Sequence, residues 1–416
     1  MILRHVRSAV FRTFGHADKS LINTFIAYLS DAPGLTDLEL THCSRGDINH
    51  FAHLINNDKG RFSRLQYLRY APEHESGSLP ADGFDGICML LSSSLRVVKM
   101  NCSVVERYFT KPTKERHAWS GTTKLNEIVI SGFRCDEAAL ELVLPRSPRL
   151  KVLTLPPPGY GFLEDMGRLD GGPRRTVPRS GHADGTAFSP ARIASLVSPV
   201  SNTLEDVSMY NDRIVVQIHD GSRLDLSVFS SLKCVEVSSH FYFGNYPSVA
   251  EAAADAYNDG FWKLLPYSVE EIHIQFDGLQ GIFHSLEHLE QSFSAVEESW
   301  ERYDRLWAKG PGDAIAVAKT LSFIHEIITR KQHHFPSLRL VRLVESHNTK
   351  LLGWTKLERG LWHWVNVLSY YPELFESGGV HVNILIYEPD EYPGPPDERN
   401  DEWQAEPETT VQDSSI

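Results

Sequence analysis

The residues best arranged to do chemistry are His284, Glu287 and His288, in the run GLQGIFHSLEHL. Two histidines four apart lie on one face of a helix, where both rings can ligate a zinc ion. A glutamate next to the second can act as general base on a metal-bound water, the order being H-x-x-E-H. The same stretch carries Glu290, Glu297, Glu298 and Glu301. A helix so charged also reads as a solvated face that binds nothing. That second reading is adopted: no catalytic, cofactor or metal role is assigned, and a zinc-dependent hydrolase built on residues 284–288 stands as the alternative.

The flanks of that motif resemble those of inverted zinc peptidases. The resemblance implies a third, more distant glutamate ligand, for which Glu358, Glu373 and Glu376 are the candidates. Other chemistry is thinner. His333-His334 precede Phe335 at an expected helix end, where cationic side chains complement the dipole. Gly159-Tyr160-Gly161 lacks the spacing of a dinucleotide loop, and neither GxSxG nor GxxxxGK[ST] occurs. Arg174, Arg175 and Arg179 make one stretch locally basic, either a solvated loop or a dock for something acidic such as the chain's own tail. The five cysteines are dispersed and contain no CxxC pair, which predicts free thiols rather than a disulfide framework or a zinc knuckle.

The elements that would carry such residues follow from a repeat. The pattern Leu, two residues, apolar, one residue, apolar occurs as LTDLEL from Leu35, LQYLRY from Leu65, LRVVKM from Leu95, LNEIVI from Leu125 and LKVLTL from Leu150. It returns as LEDVSM from Leu204, LKCVEV from Leu232, VEEIHI from Val269 and LRLVRL from Leu338. The first copies start 30 residues apart, and each follows a Ser, Thr or Pro within three residues, a turn leading into a strand. Extended to Cys43, the first copy reads L-x-x-L-x-L-x-x-C, the leucine-rich-repeat signature. On such a strand Leu38 and Leu40 point to one face while Asp37, Glu39 and Thr41 point to the other. One unit cannot bury its apolar face alone, so neighbours must stack.

Between the strands lie helical stretches: Asp47–Ile55, Phe84–Leu91, Asp136–Val143, Pro190–Leu196, Ser248–Tyr257 and Asp313–Arg330, with Asp47 and Asp136 as expected N-caps. The expected fold is therefore α/β: an irregular leucine-rich-repeat solenoid over residues 1–387, parallel strands on its concave face and helices on its convex face. Later spacings of 25, 54, 28, 37 and 69 residues break the period, and place insertions at about 156–190 and 275–312. Val380–Tyr387 would add a last strand. Residues 388–416 hold ten Asp/Glu, one Arg and five Pro, which predicts a disordered acidic tail.

Of the 416 residues, 41 are Lys or Arg and 54 are Asp or Glu, a net charge of -13. The tail holds -9 of this, leaving -4 for the remainder. An acidic chain argues against nucleic-acid binding and against anionic lipid. No run of 18 apolar residues occurs, so no membrane-spanning helix is expected. Without secretory features, the expected place is cytoplasm or nucleus.

Degenerate Ser-Leu-x-x-Val-x-Leu strands, unequal units and late insertions rich in Trp and Tyr together resemble the repeat region of fungal F-box proteins, over roughly residues 5–387. The resemblance implies a protein-binding array, and in that family the array holds the substrate of a ubiquitin ligase. No F-box-like Leu-Pro-x-Glu-Leu segment occurs; the chain opens on apolar-alternating Val6–Phe11 and a helix around Lys19–Leu29. The expectation is a non-enzymatic, monomeric module that binds a protein partner, with neither nucleic acid, membrane nor cofactor involved. By strand alternation its concave face would display Asp37, Glu39, Tyr67, Arg69, Lys99, Glu127, Asp206, Glu236, Glu271, His273 and Arg342. For each of these, plain solvent exposure is the alternative.

Overall fold

The computed structural model of the chain describes residues 5–12, 24–25, 27–29, 32–43, 62–72, 81–82, 94–101, 105–106, 121–131, 137–156, 188–210, 219–243, 260–276, 322–346, 363–364 and 379–387. Each copy of the pattern leads into a strand. These are β2 (Asp37–Cys43), β3 (Tyr67–Pro72), β5 (Val97–Asn101), β7 (Glu127–Ser131), β8 (Val152–Leu155), β9 (Asp206–Met209), β10 (Cys234–Ser238), β11 (Glu271–Phe276) and β12 (Leu340–Ser346). Ahead of them lies β1 (Ser8–Arg12); β13 (His363–Trp364) and β14 (His381–Tyr387) follow. They form one 12-stranded sheet in the order β1-β2-β3-β5-β7-β8-β9-β10-β11-β12-β14-β13, which does not close on itself. Every pairing is parallel except that of β13 with β14. Two-residue strands β4 (Ala81–Asp82) and β6 (Val105–Glu106) pair apart from this sheet.

Three apolar positions per unit explain the stacking. The lead-in residues Leu35, Leu65, Leu95, Leu125, Leu150, Leu204, Leu232, Val269 and Leu338 are all at most 1% exposed. The second and fourth strand residues are buried beside them, as in Leu38 with Leu40, Leu153 with Leu155, and Val235 with Val237. Each such side chain contributes about 1.5–3 kcal/mol by leaving water. A tight turn sets most of the lead-in residues: the amides of Leu35, Leu65, Leu150, Val269 and Leu338 donate to the carbonyls of Ala32, Phe62, Ser147, Pro266 and Phe335.

A second regularity is in the backbone alone. The carbonyl just after each lead-in residue accepts two amides from the next unit. Arg7 takes Thr36 and Asp37, Thr36 takes Gln66 and Tyr67, and Gln66 takes Arg96 and Val97. The same hand-over runs through Arg96, Asn126, Lys151, Glu205, Lys233 and Glu270. The last unit departs from the pattern. Register places Gly379 opposite Leu338, with φ +61, and its carbonyl accepts from Lys331 Nζ at 3.0 Å.

Helices cover the apolar side. Helix Glu137–Val143 buries Leu140 and Val143, helix Pro190–Val197 buries Ile193, Leu196 and Val197, and helix Ser322–His334 buries Phe323, Ile324, Ile327 and Ile328. Most of these side chains join the strand residues in one core. Ser189 caps the second helix, its Oγ accepting from the amide of Arg192 at 3.3 Å. Arg192 in turn pairs with Glu137 and, at 3.1 Å, with Glu141, tying that helix to its neighbour.

Several boundaries move. The expected helix Asp313–Arg330 is described over Ser322–His334, ending in Lys331, His333 and His334, cations that suit a helix C-terminus. Gln275 and Phe276 belong to β11, so the later insertion begins after them. Phe188 bridges to His219 and Pro190 starts a helix, so the earlier one ends before Phe188. The bulk of both insertions, the helices expected over Asp47–Ile55, Phe84–Leu91 and Ser248–Tyr257, segment 284–288 and the tail lie outside the described residues. Among those described, no helix is long and apolar enough to cross a membrane.

The His219 side chain is buried, and its Nδ1 accepts from the amide of Gly221 at 2.8 Å. Nε2 therefore carries the proton and donates to the carbonyl of His240 at 2.9 Å, which makes the ring neutral. Burial holds its pKa below the ordinary range, and the His240 carbonyl and Asp220 only partly oppose this. An unfolded histidine binds a proton below about pH 6.5 whereas this one resists, so its contribution is complete above that pH and is lost as pH falls. Between pH 7.5 and 5.5 the wild-type Tm should fall more than that of His219→Gln; parallel curves would refute the assignment.

Candidate functional site

Alternation that buries one face of every strand turns the other face outward, and parallel register lines its residues into rows. One row runs Asp37, Tyr67, Val97, Glu127, Val152, Asp206, Cys234, Glu271 and Leu340. The next, two residues along, runs Glu39, Arg69, Lys99, Val129, Thr154, Ser208, Glu236, His273 and Arg342. All the residues expected on the concave face fall in these two rows. Arg69 is exposed and the others are half-buried.

They divide into two groups separated by the uncharged Val152 and Thr154 of β8. In the first, Arg69 pairs with Glu39 at 3.6 Å and Lys99 with Glu127 at 2.8 Å, while Tyr67 lies in register between Asp37 and Val97. These ion pairs are open to solvent, so each contributes at most about 1 kcal/mol to stability.

The second group, on β9 to β12, is more tightly connected. Glu236 accepts from Ser208 Oγ at 2.7 Å on one oxygen and from Gln275 Nε2 at 3.1 Å on the other. Glu271 lies 3.3 Å from His273 Nε2 through one oxygen and is held by Arg339 through the other. Cys234 sits opposite Glu271 in register. Burial chiefly, then Asp206, Glu271 and Glu236, pushes the Cys234 thiol far up, with Arg342 acting the other way. Such a thiol stays protonated and is a poor nucleophile.

Ser208, Cys234 and Gln275 were not among the expected residues, although all stand at outward positions of strands read from sequence. None of the three is charged or aromatic; the signal that marks them is strand alternation alone. Cys234, Glu271 and His273 each offer a ligand atom, all within 4.8 Å of one another, and so form a group able to hold a metal ion. A scan against protein-family models finds no match, and no curated protein matches the chain.

Proposed function

We propose that the chain is a leucine-rich-repeat solenoid that acts without catalysis, binding a protein partner across the outward face of its sheet. The observation that carries this reading is the pair of registered rows, in which charged, hydroxyl and aromatic side chains stand on a continuous surface many strands wide. Mixed charge with Tyr67 and Arg69 suits a protein surface, since Tyr and Arg dominate interface hot spots, and does not suit a polyanion. Curved repeat arrays commonly bind in this way. In the finer version the array is the substrate-recognition part of an F-box-type ubiquitin-ligase receptor, working in cytoplasm or nucleus as a monomer.

The test is quantitative affinity purification of the full chain against a variant carrying Arg69→Ala and Lys99→Ala. Both residues are solvent-exposed enough that folding should cost about 1 kcal/mol or less per pair. A partner held by this face should be recovered at least about tenfold less, which corresponds to roughly 1.4 kcal/mol. Equal recovery of the same proteins by a folded variant would remove the first group of rows from the interface. Co-purification of a ligase scaffold bears separately on the finer version.

A further inference from the structure

We propose that Cys234, Glu271 and His273 form a zinc site on the outward face of the sheet. The position follows from register. Cys234 on β10 is paired with Glu271 on β11, and His273 is two residues further on, hence on the same face. Their ligand atoms lie within 4.8 Å of one another. Bonds of about 2.0–2.3 Å in a tetrahedron put ligand atoms roughly 3.3–3.6 Å apart. His273 Nε2 and Glu271 Oε2, at 3.3 Å, already have that separation. The Cys234 sulfur lies within 4.8 Å of both, so it has to close by about 1.3 Å or less to complete that geometry.

Chemistry selects the ion. A thiol, an imidazole and one carboxylate suit borderline-soft zinc, whereas calcium and magnesium require oxygen ligands throughout. Outer contacts also fit. Arg339 fixes one Glu271 oxygen and leaves the other facing His273, the kind of support that orients a ligating carboxylate. Glu236, engaged by Ser208 and Gln275, holds a negative charge beside the group. Asp206 and Glu271 lie in register on either side of Cys234, and Glu236 two residues along, with Arg339 engaged by Glu271, so these carboxylates outnumber that cation. A dication offsets this and draws off the thiol proton to solvent as the Zn–S bond forms. With side chains of Glu271 and His273 only 20% and 13% exposed, the ion would be sheltered by protein on one side. The fourth position would open to solvent, as where three protein ligands leave room for water.

The inference does not depend on the proposed binding role. Full-length protein is stripped with chelator, then titrated with zinc and separately with cobalt(II) as a spectroscopic substitute. The expected result is one ion per chain, and a thiolate-to-cobalt absorption band that disappears in Cys234→Ser. His273→Gln, a second variant that leaves the thiol in place, should weaken zinc binding at least about tenfold. A variant carrying His284→Gln and His288→Gln should keep both the stoichiometry and the band. No stoichiometric zinc in a chain of unchanged circular dichroism overturns the proposal. So does metal that survives Cys234→Ser but is lost on replacing His284 and His288.

Discussion

Phe261→Ala is expected to lower the unfolding free energy by about 3–5 kcal/mol, among the largest effects foreseen for an apolar truncation of a described residue. Phe261 is 1% exposed, at the start of the short 3-10 turn Phe261–Leu264. Its ring meets Tyr242 edge-on at 4.7 Å, Phe323 at 5.4 Å and Phe243 in a parallel stack at 5.9 Å. Phe243 continues the cluster to Phe276 at 5.9 Å and Phe323 at 5.1 Å. The Phe261 ring thus joins the helix Ser322–His334 to the short helix His240–Phe243, and through Phe243 the cluster reaches the end of β11. Its neighbours belong to different elements that hold each other in place, so they cannot collapse far into the space it leaves. Urea unfolding followed by circular dichroism measures the change. A loss below about 1 kcal/mol would mean that the cluster relaxes freely, contrary to this account.

The second large effect separates two adjacent residues. Leu204→Ala should cost about 2–5 kcal/mol, and Glu205→Ala less than about 1 kcal/mol. Leu204 is fully buried as the lead-in residue of β9, with the strands of two neighbouring units beside it. Glu205 is half-buried and makes two ion pairs, with Lys151 at 2.5 Å and Lys233 at 3.6 Å. These pairs hold its carboxyl below the usual range, the hydrogen bond from Lys151 most of all. Burial decides between them, because the pairs form in water, which competes for both partners. If the two substitutions cost the same in parallel urea melts, the unit is not held by its apolar positions.

The strands were legible because their pattern is local. Leu35, Leu38 and Leu40 lie within six residues, and three buried positions so close together admit few backbones other than a turn and a strand. The outward rows followed at once, since alternation requires them. The aromatic cluster was not legible. Tyr242, Phe261 and Phe323 come from separate stretches with no common spacing, and only tertiary packing brings them together. The Cys234–Glu271–His273 group was hidden for a similar reason. It depends on β10 lying in register beside β11, and no motif spans the residues between them. His284 and His288, by contrast, carry a helical spacing visible within one short segment. The antiparallel β13 was also missed, being two residues long with no alternation to announce it.

The doubly accepting carbonyls that link each unit to the next are indifferent to side chain: Arg7, Thr36, Gln66, Asn126 and Glu270 all serve. They are equally indifferent to how much chain intervenes. Successive lead-in residues are separated by as few as 25 and as many as 69 residues, yet the hand-over is the same. Closing the longer loop instead of the shorter costs only about 0.9 kcal/mol in chain entropy, less than one buried leucine contributes. Length between strands is therefore nearly free to vary. Whole segments could be gained or lost there over generations without disturbing the order of the surface rows, so that new recognition features can be tried at the margins of an unchanged platform.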